Sequence, residues 1–136
     1  MNERPLRTTL SLEEVRQRYG SATPRRQFLF ARLQIIIQLL IETGQLGRLY
    51  LLGSFTTAKL TPNDLDCLVV MAAGFTTELL ALPHLNVFQH DACRLTYHTD
   101  VFWVTEAIGQ DVIDAMLDVF SRDREGAPQP IIEVSL

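Results

Sequence analysis

The chain has 136 residues, 47% of them hydrophobic and 21% charged, with a formal net charge of −4. Such a composition predicts one ordinary soluble domain with a core of its own. It excludes a membrane span, because the longest apolar segment, Phe28 to Ile41, is short and is broken by Arg32, Gln34 and Gln38. Cys67 and Cys93 match no metal-ligand or redox spacing, and no secretion signal is evident, so reduced thiols in a cytoplasmic protein are expected. The charge is uneven. Residues 1–32 carry seven Arg against three Glu, and residues 33–136 carry five Lys and Arg against thirteen Asp and Glu. The basic end could meet an RNA backbone or an acidic partner, but aromatics for base stacking are scarce there, which favours a solvated helix face.

In chain order, residues 1–10 read as a loose leader. Ser11-Leu12-Glu13-Glu14 is a capping box that starts a short helix ended by Gly20. Thr23-Pro24 caps the next helix, which runs to about Thr43 and stops at Gly44. Leu29, Leu33, Ile36, Ile37 and Leu40 give it one apolar stripe, widened by Phe30, Ile35 and Ile41. Two apolar strands follow, Leu49 to Leu52 and Leu68 to Met71, separated by Gly53-Ser54 and a polar loop. Thr76 to Leu82 reads as a short helix. Arg94 to Val104, rich in β-branched and aromatic residues, reads as a strand. Gln110 to Arg122 reads as an amphipathic helix, with Val112, Ile113, Met116, Leu117 and Phe120 on one face, and Ile131 to Val134 as a final edge strand. The fold class expected is α+β, a mixed sheet of three or four strands with helices mainly on one face.

The stretch from Arg48 to Met71, RLYLLGSFTTAKLTPNDLDCLVVM, carries the chemistry. On an extended strand Asp64 and Asp66 share one face, about 7 Å apart. Two carboxylates that close repel, and burying them unpaired is costly, so a cation belongs between them. A divalent metal bound to phosphate oxygens suits that need. A Gly-Ser pair alone is a turn, and an Asp-x-Asp pair alone is a solvated strand end. In this order, between two apolar strands, they point to a site.

Gly53-Ser54, nine residues, then Asp64-Leu65-Asp66 resembles the nucleotidyltransferase superfamily that includes DNA polymerase beta and the minimal nucleotidyltransferases. More narrowly, GSFTTAK followed by PNDLD is similar to small single-domain members of that superfamily. The resemblance implies a third carboxylate on a neighbouring strand, and Asp100 in RLTYHTDVFWV is the candidate. A plain ion pair with Arg94 is the alternative for it. It further implies that Asp64, Asp66 and Asp100 bind two Mg²⁺ (or Mn²⁺) ions, with Asp100 helping to take a proton from the attacking hydroxyl. Gly53 and Ser54 would meet the triphosphate through backbone N–H groups, and Lys59, the one lysine of the chain, would lie near it or simply in solvent. Thr56 and Thr57 would cap a short helix there.

The activity so implied is transfer of a nucleoside monophosphate, AMP from ATP, to a hydroxyl on a protein or RNA acceptor. The alternative is an antitoxin-like module on the same fold, whose partner is a protein such as a ribonuclease-like toxin. His84, His90 and His98 fit no compact zinc motif. His98 would share the strand face of Asp100, and Cys67 would point the other way into the core.

Overall fold

A computed structural model describes residues 3–136. Five strands form one mixed sheet: β1 (Arg7–Ser11), β2 (Leu46–Leu52), β3 (Leu65–Met71), β4 (Thr99–Thr105) and β5 (Ile131–Ser135). Their spatial order is β1-β5-β2-β3-β4. The β1/β5 and β3/β4 pairs are parallel, while β2 runs antiparallel to both β3 and β5. Five helices accompany the sheet: α1 (Leu12–Tyr19), α2 (Pro24–Glu42), α3 (His84–Val87), α4 (His90–Tyr97) and α5 (Gln110–Phe120). Among the described residues no helix is long and apolar enough to cross a membrane.

Local signals set the first two helices. Ser11 and Glu14 complete the capping box of α1, and Thr23 caps α2 with Pro24 in its first turn. Leu29, Leu33, Ile36 and Leu40 of α2 are fully buried, each such side chain contributing about 1.5–3 kcal/mol on leaving water. Ile35 and Ile41 do not widen the stripe; both are exposed.

The two faces of the sheet are covered unequally. Leu49 and Leu51, Leu65, Cys67, Val69 and Met71, Val101, and Ile132 and Val134 face the larger core with α1, α2, α3 and α4. On the other face Tyr50, Leu52, Leu68, Val70 and Ile131 meet Ile113 and Leu117 of α5. Cys67 thus lies in the core on the face opposite that of its neighbours Asp66 and Leu68.

Several expectations are corrected. The sheet has five strands because the supposed leader contributes one: Arg7–Ser11 pairs along β5, and Leu10 is buried. Residues 1–2 lie outside the described residues. For the same reason β5 is an inner strand and not an edge, since β1 covers its outer side. Residues 76–82 form turns around a cis Leu82-Pro83 bond, and the helix begins later, at His84. Residues 94–97 are helical. Cys93 and Tyr97, four apart, bury one side of α4, and this packing overrides the strand propensity of Thr96 and Tyr97. His98 then caps α4 in the left-handed region (φ 53°), turning the chain into β4. It therefore does not share a strand face with Asp100; its ring packs edge-on against Phe28.

Candidate functional site

The carboxylates gather where the parallel strands β3 and β4 begin. Asp66 and Asp100 are direct partners in the register, the second residue of each strand, on the face that packs against α5. Asp64 stands two residues earlier, just ahead of β3. Asp66 is half-buried, and its desolvation, the nearby charges of Asp100 and Asp64, and a hydrogen bond with Asp100 push its carboxyl up to about 7.

Arg94 and His90 already contact the two outer acids. Arg94 Nη2 lies 3.6 Å from Asp64 Oδ2, and its Nη1 lies 3.4 Å from Asp100 Oδ1. His90 Nε2 lies 3.0 Å from the same Asp100 oxygen. Arg94 is more than half exposed, so these long contacts contribute little to stability. Asp66 makes no ion pair among the described residues. Nor does any group of three or more His, Cys, Asp or Glu among those residues stand ready-made around a metal position. The donor set nonetheless suits a hard divalent cation, three carboxylates with the central one half-buried and lacking a cation of its own.

Gly53 closes the site from below. It has φ +77°, and a Cβ placed on it would stand 2.3 Å from Asp66 Oδ2. Only glycine permits that approach. Gly53–Thr56 forms one 3-10 turn, with Ser54 half-buried. Thr56 and Thr57 do not cap its start. Their hydroxyls donate back to the carbonyls of Gly53 (3.0 Å) and Ser54 (2.7 Å) and tie off its end.

The loop from this turn to Asp64 is held by the first turn of α2. The Arg26 side chain is buried and donates to the carbonyls of Tyr19 (3.0 Å), Phe55 (2.8 Å), Thr57 (2.6 Å) and Lys59 (2.7 Å). Thr23 Oγ1 donates to Leu60 O at 2.9 Å, and Arg25 donates to the carbonyls of Pro62 (3.0 Å) and Asn63. Lys59 presents its carbonyl to this clamp and its side chain to solvent.

The structure thus brings Asp66, Asp100 and Gly53 together and links Asp64 to them through Arg94. Ser54 follows directly in the turn, and Lys59 lies farther along the loop. Sequence reasoning did not find Arg26 or His90 as parts of this assembly. For Arg26 a signal existed. Two arginines in the first turn of a helix oppose its dipole, which calls for acceptors outside the helix to hold them. His90 falls between the stretches read as helix (Thr76 to Leu82) and strand (Arg94 to Val104), so no expected element positioned it.

An open groove of about 780 Å³ lies elsewhere, between β1 and α5 at the far end of the sheet. Its Arg7 and Arg122 are paired at 3.0 Å with Asp114 and Asp118. The cysteines carry no reactive signature. Burial pushes the Cys93 thiol up to about 12 and raises that of Cys67 as well.

Fold and site define an α+β protein with an acidic cluster at the mouth of two parallel strands. Within that class the chain belongs to the DUF6932 family, a family of unknown function whose model matches residues 2–135. No curated protein and no solved structure matches the chain.

Proposed function

We propose that this site transfers a nucleoside monophosphate, AMP from ATP, to a hydroxyl on a protein or RNA acceptor. The observation that carries the reading is the in-register pairing of Asp66 with Asp100 against the bare backbone of Gly53. Asp64, Asp66 and Asp100 would hold Mg²⁺ or Mn²⁺. Such an ion would supply charge neutralisation for the triphosphate and its leaving pyrophosphate. Gly53 and Ser54 lie beside Asp66, where backbone N–H groups can receive phosphate oxygens. Arg94, mostly exposed on its short helix, is free to turn from the acids toward a phosphate. Asp100 takes the proton of the attacking hydroxyl. The new bond joins that oxygen to the α-phosphorus, and the bond from the α-phosphorus to the bridging oxygen breaks, releasing pyrophosphate.

One observation favours a second reading. Asp64 and Asp100 are already served by Arg94 and His90, which suits an antitoxin-like module that binds a partner, such as a ribonuclease-like toxin, without catalysis. The two are separated by incubating the protein with labelled ATP, Mg²⁺ and a lysate of its source. Label on a protein or RNA with wild type, absent with Asp64→Asn, supports transfer. A partner that co-purifies equally with both proteins, with no label moved, overturns it in favour of the module.

A further inference from the structure

Beside the acids lies a row of aromatic rings that the phosphate chemistry does not use. Phe102 follows Asp100 by two residues on β4, so both side chains leave the same face of the strand, about 7 Å apart. The Phe102 ring has two aromatic neighbours, both tilted against it. His90 lies at 5.3 Å between centroids with planes 33° apart, and Phe120 of α5 lies at 5.2 Å with planes 34° apart. His90 also holds Asp100, so the row begins at the carboxylates. Phe102 and Phe120 remain 38% and 39% exposed. A core pair would be covered; this one keeps apolar ring surface open to solvent at the edge of the sheet.

Resting on the nucleotidyl-transfer reading, we propose that Phe102 and Phe120 form the platform on which the base of the nucleotide stacks. Two features of the structure select that occupant. The platform is continuous with the acidic site through His90. The rings give the flat π-surface that a base uses, and they bring no hydrogen-bonding group that would read its edge. The site would therefore hold purines by stacking and discriminate among bases weakly.

The test compares ATP with tripolyphosphate, each titrated calorimetrically in Mg²⁺. Wild type is expected to bind ATP about tenfold or more tighter than tripolyphosphate. Phe102→Ala and Phe102→Leu should both lose that margin with tripolyphosphate binding unchanged, while Phe102→Tyr retains it. Thermal melts identify any variant that fails to fold, and Phe120→Ala then serves as the second probe. If ATP and tripolyphosphate bind wild type equally, the platform is overturned and the phosphate site stands. If neither binds, the transfer reading fails and the platform with it. If Phe102→Ala instead dissociates a dimer and leaves ATP binding intact, the patch belongs to a second copy of the chain and the proposal is overturned.

Discussion

Gly53 and Asp66 are in contact across the β2–β3 connection: no side chain fits between the backbone of one and the carboxylate of the other, because a Cβ on Gly53 would fall 2.3 Å from Asp66 Oδ2. The turn that ends β2 thus sets the position of the central acid. Gly53→Ala should cost at least about 1–2 kcal/mol from its positive φ alone, and more from the displaced carboxylate. Urea unfolding checks the stability. Mn²⁺ titration should show weaker binding in whatever fraction folds. An unchanged Mn²⁺ affinity would separate this turn from the site.

The raised carboxyl of Asp66 has a defined pH signature. Its folded state holds the proton to about 7, whereas the unfolded chain releases it near 3.8. The native state therefore binds more protons across this window, and stability falls as pH rises from about 4 to 7. The full difference is of the order of 4 kcal/mol, reduced by the solvent that still reaches the group. Asp66→Asn stays neutral and keeps an N–H to donate toward Asp100. In EDTA it should be more stable than wild type at pH 8 and lose the slope between pH 4 and 7. A variant less stable than wild type at pH 8 would mean that the ionised carboxylate has a structural partner.

Arg94 is the one cation shared by Asp64 and Asp100, and a metal ion there must compete with it. Arg94→Gln should tighten Mn²⁺ binding, measured without nucleotide, by several-fold, while changing stability by no more than about 1 kcal/mol, as its exposure dictates. If Arg94 also turns to phosphate, the same variant should bind ATP in saturating Mn²⁺ more weakly. Mn²⁺ binding that weakens with Arg94→Gln would show that the guanidinium orders the acids and does not rival the ion.

Arg26 joins α2 to the loop that carries the Gly-Ser turn into Asp64. Arg26→Met would leave the carbonyls of Phe55, Thr57 and Lys59 without their donor in a buried place, at about 1–3 kcal/mol each before the loop relaxes. The expected loss is about 3–5 kcal/mol in all. Hydrogen exchange should show residues 53–64 opening more than β2 or β3. Arg26→Lys should recover only part, because one ammonium cannot reach acceptors that a planar fork spans.

What the chain determines by itself is local. Ser11, Glu14, Thr23 and Pro24 cap their helices through neighbours a few residues away, and the apolar runs before Gly53 and after Asp66 became β2 and β3. Gly53, Asp64, Asp66 and Asp100 were legible as candidates because glycine and clustered acids between apolar strands are costly without a purpose. Tertiary structure decided what depends on distant partners. Arg7–Ser11 became a strand only because β5, more than a hundred residues later, offers an edge to pair with. Residues 94–97 became helix because Cys93 and Tyr97 bury together four residues apart, a gain that strand propensity cannot see. The same helix carries His90 and Arg94 to Asp100, and the first turn of α2 carries Arg26 to the loop. A charged side chain's role is fixed by which acceptors the packed chain brings within about 3 Å, and sequence spacing holds no record of that distance.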